Sequence, residues 1–191
     1  GIKDILVSNE VRDPAKIDRL ARMPKAHGCR TIVCVDDLGN VAELSAAAVA
    51  AGTTLDVLVE VDVGGARCGV APGEPAARVA AAIAAAPALR CRGIHAYHGA
   101  AQHLRTPAER RTAIARAVAR ARASKLAIEA AGVACPVVTG AGTGTWQEER
   151  DSGVYSELQP GSYVFMDADY GRNALAPDQH HFEHSLYVLA T

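Results

Sequence analysis

Glycine and threonine alternate through Thr139-Gly140-Ala141-Gly142-Thr143-Gly144-Thr145, after an apolar run and before a short helical stretch. Glycines let successive backbone N–H groups turn toward one anion. The start of a helix adds partial positive charge, and threonine hydroxyls add donors. The stretch reads as a phosphate cradle. It lacks the lysine of a Walker loop, and no acidic residue follows with the spacing of a dinucleotide fold. A second turn, Gln159-Pro160-Gly161-Ser162-Tyr163, closes the next apolar run. Barrels often hold phosphate with two such neighbouring late loops.

Two earlier turns carry other chemistry. Gly64-Gly65-Ala66-Arg67-Cys68-Gly69-Val70 holds an arginine among small residues at a strand end. Such a guanidinium suits a phenolate or carboxylate oxygen, although a surface arginine on a glycine turn has the same pattern. Tyr97-His98-Gly99-Ala100-Ala101-Gln102-His103 crowds histidines beside His95. The spacing is not His-x-x-x-His and no carboxylate is close in sequence, so ring contact or proton transfer by Tyr97 and His98 is favoured over a metal. His180, His181 and His184, with Glu183, lead into a strand-like run. Consecutive histidines there point to opposite faces, which argues against a metal site.

The elements that must place these turns alternate along the chain. Apolar runs at 5–7, 31–35, 55–63, 89–96, 136–138 and 155–158 are rich in valine, isoleucine and leucine, as in strands covered on both faces. Asp13-Pro14 opens a helix that Gly28 ends. Asn40 with Glu43 forms a capping box for a helix stopped by Gly52, and Thr106 with Glu109 opens a long helix that ends at Gly132. Repeated strand–helix–strand units imply a parallel sheet, either doubly wound or closed as a barrel. Residues 171–178 read as a loop.

Formal net charge is −1 with acids and bases intermixed, and no apolar run reaches the roughly 20 residues of a membrane span. Neither nucleic acid nor membrane is expected as a partner. Five cysteines, Cys29, Cys34, Cys68, Cys91 and Cys135, are scattered without a C-x-x-C pair and read as buried free thiols in a reducing cytoplasm. Both ends fall at strand-like runs, as in a piece of a longer protein.

Five segments, in this order and spacing, resemble one family. They are Asp4-Ile5-Leu6-Val7-Ser8-Asn9-Glu10-Val11, the stretch from Val59 through Asp62 to Gly69, Ala96-Tyr97-His98-Gly99, Gly140 to Thr145, and Glu157-Leu158-Gln159-Pro160-Gly161-Ser162-Tyr163 with Met166-Asp167-Ala168-Asp169-Tyr170. The chain resembles the D-threonine aldolase and 3-hydroxy-D-aspartate aldolase family, fold-type III enzymes related to alanine racemase. The resemblance implies an incomplete (β/α)8 TIM-type barrel, about strands 3 to 8, over residues 1–172. A linker and the first strand of a truncated C-terminal β domain would fill 173–191.

It implies pyridoxal phosphate in the barrel mouth. Arg67 would lie near the phenolic oxygen and Tyr97 beside the ring. Thr143, Gly144, Thr145, Gly161 and Ser162 would lie around the phosphate. Gln159 would face the pyridine nitrogen, with Tyr163 and Tyr170 as walls. The family's Schiff-base lysine lies in a His-x-Lys-Thr-His-Lys-like motif that is absent here. Lys3, Lys16, Lys25 and Lys125 stand in helix or surface contexts. The family's divalent metal (Mn, Mg or Zn) is held by a C-terminal domain, so no metal ligand is assigned. The expected reaction of a full-length form is retro-aldol cleavage of a D-β-hydroxy amino acid to glycine and an aldehyde, and the segment alone is expected to be inactive. A D-serine dehydratase, an amino-acid racemase and a non-catalytic phosphate-binding module are the alternatives. The resemblance also allows a homodimer of the full-length form.

Overall fold

The computed structural model describes residues 1–177, 179, 182–187 and 189. Six strands, β1 (Asp4–Val7), β2 (Arg30–Val35), β3 (Leu55–Glu60), β4 (Leu89–His95), β5 (Val137–Gly140) and β6 (Glu157–Leu158), pair in parallel. Their spatial order is their chain order. A doubly wound sheet would reverse direction at a switch point. Strictly sequential pairing instead makes the curled sheet of an incomplete barrel. Helices α1 (Pro14–His27), α2 (Leu38–Ala51), α3 (Glu74–Ala85), α4 (Pro107–Ala130) and α5 (Trp146–Asp151) fill the crossovers.

Local chemistry sets the helix ends. Asp13 accepts from the Lys16 N–H at 3.0 Å, and Gly28 and Gly52 take the left-handed conformation that ends α1 and α2. Thr106 and Glu109 cap α4 reciprocally. The expected Asn40 box is corrected. Asp37 caps α2 by accepting from the Asn40 N–H at 3.0 Å, while the buried Asn40 amide donates to Val11 O. Asn40 therefore ties the loop after β1 to α2. Two strand runs are shorter than the sequence suggested, at 55–60 and 157–158, and Cys68 lies in a loop.

The two sheet faces differ in kind. Val33, Val35, Val57, Val59, Ile94 and Val138 are fully or almost fully buried against the helices. Each such side chain contributes about 1.5–3 kcal/mol by leaving water. The opposite, lumen-side face is mixed, with Ile32, Leu58 and Val137 beside Cys34, Glu60, His95 and Thr139. A bulge in β4 decides what it carries. Leu55 and Val57 pair with Leu89 and Cys91, but Leu58 and Glu60 pair with Gly93 and His95, so Arg92 is an extra residue. One extra residue moves every later side chain to the other face. His95 thereby joins Glu60 on the lumen side, and Ile94 joins the apolar core. Gly93 makes the bulge fit, because at its φ of 131° an added Cβ would stand 1.9 Å from Val137 O.

After Tyr170–Arg172, a single 3-10 turn, the described residues form no helix or strand. They pack back on the barrel segment. Arg110, 1% exposed, donates to Ala174 O at 2.6 Å and Gln179 Oε1 at 3.1 Å, and Ser185 N–H donates to Phe165 O. His180 and His181 lie outside the described residues, as do positions 188, 190 and 191 of the expected final strand. Among the described residues no helix is long and apolar enough to cross a membrane.

Candidate active site

The turn after β3 is shaped by one carboxylate. Asp62 accepts from the N–H groups of Gly64 at 2.8 Å and Ala66 at 3.1 Å, and those bonds hold its acid strength above the usual carboxylate's. A parallel bridge from Val61 to Val70 closes the loop behind it. Arg67 projects from this loop, exposed, with Nη2 3.5 Å from Cys68 Sγ. It lines a cavity of about 90 Å³ with Glu60, Asp62, Cys68 and Tyr97.

Tyr97 follows β4 and is partly buried. Burial raises the pKa of its hydroxyl, and Tyr170 adds to the rise while Arg67 opposes it. Tyr97 therefore lies within electrostatic reach of both Arg67 and Tyr170. His98 packs against Gly64, where an added Cβ would meet its Nε2 at 2.9 Å. Burial lowers its pKa, against a pull from Asp62, and its buried Nδ1 has no hydrogen-bond partner. His98 lines neither of the cavities described here.

The glycine–threonine loop and the loop after β6 meet. Tyr163 N–H donates to Thr143 Oγ1 at 3.1 Å. That bond uses one lone pair, so the Thr143 hydroxyl keeps its proton for an outside acceptor. Burial raises the pKa of the Tyr170 hydroxyl, and the nearby Ser162 side chain opposes that rise. Thr143, Gly144, Asp167 and Tyr170 line a second cavity of about 280 Å³, closed by Phe182 and His184 from the C-terminal segment. Gly161 is exposed at the rim, and the Tyr163 ring packs on Phe182 at 5.4 Å between centroids.

Other expected cofactor contacts are engaged by the protein. Gln102, 1% exposed, accepts from Gly144 N–H at 2.9 Å and donates to Thr145 Oγ1 at 2.8 Å. Thr145 in turn donates to Glu149 at 3.0 Å. Glu149 is buried, and desolvation lifts its pKa to about 8. Gly144 and Thr145 thus shape the loop from inside. Gln102 also enforces Gly142, since an added Cβ there would lie 2.5 Å from its Cδ. Gln159 belongs to a lumen network. Its Nε2 donates to Thr139 Oγ1 at 2.7 Å, its Oε1 faces His95 Nε2 at 3.2 Å, and Thr139 donates to Glu157 at 2.6 Å.

Gln102, Glu149, Glu60 and Arg110 escaped the sequence reading. Gln102 and Arg110 carry no motif, and their partners lie 42 and 64 residues away.

Arg67 and Tyr97 thus line one cavity, and Thr143 and Tyr170 line another beside the Ser162 loop. Residues 3–169 match the family described as alanine racemase, N-terminal domain. The chain is 50% identical over 195 residues to 3-hydroxy-D-aspartate aldolase of Paracoccus denitrificans (strain Pd 1222), covering 100% of the chain and 50% of that protein. It is 45% identical to D-threonine aldolase of Arthrobacter sp, again over 100% of the chain and 50% of the relative. The crystal structure of D-threonine aldolase from Filomicrobium marinum superposes with a TM-score of 0.92 at 47% identity, over 96% of this chain and 49% of that one. D-threo-3-hydroxyaspartate dehydratase from Delftia sp. HT23, at 24% identity and a TM-score of 0.72, shares the fold over 86% of this chain and 43% of its own. The chain spans about half the length of the curated relatives it matches. It belongs to the alanine racemase N-terminal domain family.

Proposed function

We propose that this chain forms the cofactor-seating part of a pyridoxal-phosphate-dependent aldolase that cleaves D-β-hydroxy amino acids such as D-threonine or 3-hydroxy-D-aspartate. The observation that carries this reading is the meeting of the Thr143 and Ser162 loops at the carboxyl ends of β5 and β6, in a cavity whose Tyr170 acts electrostatically on Tyr97, the neighbour of Arg67. The 50% and 45% identical relatives named as aldolases support it.

When bound, pyridoxal phosphate supplies a ring that accepts the electron pair of the Cα–Cβ bond. The Thr143 hydroxyl and the loop at Gly161 and Ser162 would hold its phosphate, with Gly144 and Thr145 setting the loop's shape. Arg67 would lie against its phenolic oxygen, and Tyr97, Tyr163 and Tyr170 would wall the ring. Gln159 reaches the pyridine side only through the network it shares with His95. Tyr97 stays protonated at neutral pH because burial raises its pKa, so it donates a hydrogen bond. His98 stays neutral because burial lowers its pKa; packed against Gly64 and outside both cavities, it would act on a substrate only through the turn that carries Arg67. Five free cysteines support a reducing, cytoplasmic setting.

The test is product analysis. The full-length protein, loaded with pyridoxal phosphate and a divalent metal, should turn D-threonine into glycine and acetaldehyde, or 3-hydroxy-D-aspartate into glycine and glyoxylate. A keto acid with ammonia would move it to the dehydratases. Cofactor binding with no turnover of either substrate would make it a binding module.

A further inference from the structure

The lumen face carries a cluster that the cofactor reading leaves unused. Cys34, Glu60 and His95 stand near the carboxyl ends of the adjacent strands β2, β3 and β4. Their ligand atoms all lie within 4.8 Å of one another. They are 0%, 4% and 2% exposed. Buried thiols are common and carry little by themselves. A thiol, a carboxylate and an imidazole converging in a buried spot are a different matter, because each offers a ligand atom within reach of a single ion.

The imidazole settles the polarity. Gln159 Nε2 donates to Thr139, so its Oε1 is the end that faces His95. His95 Nε2 therefore carries the hydrogen, and Nδ1 presents a bare lone pair. That lone pair faces Glu60 Oε2 at 2.5 Å, and neither atom has another partner. At that separation a proton joins the two acceptors in the ion-free protein; a zinc ion, with ligand distances of about 2.0–2.1 Å, would replace that proton and part the two atoms. Glu10 and Cys68 lie on the other side of Glu60, forming a second group of ligand atoms within the same 4.8 Å limit, and Glu10 Oε1 is buried without a partner.

We propose that Cys34 Sγ, His95 Nδ1 and the Glu60 carboxylate bind one zinc-class divalent cation, with the fourth position filled from the Glu10 and Cys68 side. Sulfur, nitrogen and oxygen donors in a tetrahedral set select zinc over magnesium or calcium, which take oxygen alone. Gln159 is the outer partner that fixes the tautomer of the histidine ligand, the usual arrangement at protein zinc sites. Binding releases the Cys34 proton, so affinity rises with pH. The ion joins three strands with the loops after β1 and β3. It also orders the floor of the Arg67–Tyr97 cavity, which Glu60 and Cys68 line. The site lies in the barrel wall and is separate from a metal held by a C-terminal domain.

The test uses untagged, chelator-treated, reduced protein titrated with cobalt(II) and followed by absorption. One equivalent should bind, with a near-ultraviolet thiolate-to-cobalt band that an oxygen and nitrogen site cannot give. Zinc should displace it. Cys34→Ser should abolish that band. Gln159→Ala should weaken binding about 10–100-fold, and His95→Gln and Glu60→Gln by at least as much, each with the circular dichroism of the unaltered protein. Should a variant not fold, crystals of the unaltered protein soaked in zinc give the same decision through an anomalous peak between the three side chains. No cobalt binding, binding without the charge-transfer band, or a band that survives in Cys34→Ser overturns the proposal and leaves the Glu60–His95 pair joined by a proton.

Discussion

Gln102 is the hinge of the phosphate-loop argument, and Gln102→Ala tests it. The side chain makes two bonds, to Gly144 N–H at 2.9 Å and Thr145 Oγ1 at 2.8 Å, from a position 1% exposed. Each neutral hydrogen bond has a net value of about 1 kcal/mol. Truncation also leaves a void and a poorly satisfied Gly144 N–H, which together cost about 1–2 kcal/mol. The total is about 3–4 kcal/mol, and for a domain of this size each kcal/mol lowers Tm by about 2–4 °C. Urea unfolding should show this loss. Gln102→Met, which keeps the volume and removes the bonds, should lose about 2 kcal/mol. Pyridoxal phosphate affinity, read by fluorescence quenching of Trp146, should fall in both variants, because the loop is no longer held from inside. An unaltered affinity in a clearly destabilised Gln102→Ala would refute the idea that this clamp sets the cradle. A stability loss under about 0.5 kcal/mol would refute the energetic reasoning.

Gly93→Ala should cost about 3 kcal/mol or more, since its Cβ would stand 1.9 Å from Val137 O at a positive φ; failure of the variant to lose stability in denaturant would show that β4 is not bulged. Glu149 has a folded pKa of about 8, raised by burial above the unfolded value of 4.5. Its contribution is fully present below pH 4.5 and is lost as pH rises to about 8, so Glu149→Gln should flatten the stability–pH curve across that window. Arg67→Ala should weaken pyridoxal phosphate binding about 10–100-fold through loss of one charge-assisted hydrogen bond, with thermal stability unchanged. Thr106→Ala removes a reciprocal cap and should lower stability by about 1 kcal/mol, measurable as a shift in the urea midpoint.

Local signals reported the local structure well. Valine-rich runs gave all six strands, and Asp13, Gly28, Gly52 and the Thr106–Glu109 box mark helix ends where the sequence placed them. Asn40 misled because Asp37, three residues earlier, has the same capping chemistry, and only the fold shows that Asn40 is buried and donates to Val11. The glycine turns were readable as loops at strand ends, and the meeting of Thr143 with Tyr163 follows from β5 and β6 being neighbours. The Cys34, Glu60 and His95 cluster was not readable. Strand alternation alone would put His95 on the face of Leu89 and Cys91, toward the helices. The extra residue at Arg92 reverses that; Gly93 inside the run is the one signal of a bulge, and it went unread.

The sequential order of the strands bears on how the chain acquires its shape. Each strand from β2 to β6 finds a partner in the one made just before it, so none of these five pairings waits for a distant segment. As a ribosome adds residues from the N-terminal side, every completed strand–helix unit can dock on a finished edge and leave a new edge for the next. Loop closure then costs only the span of one crossover each time. The growing sheet lengthens like a ratchet. Of these six strands β6 is made last and brings the Ser162 loop against Thr143, so the corner proposed for the phosphate is completed only after the other five are in place.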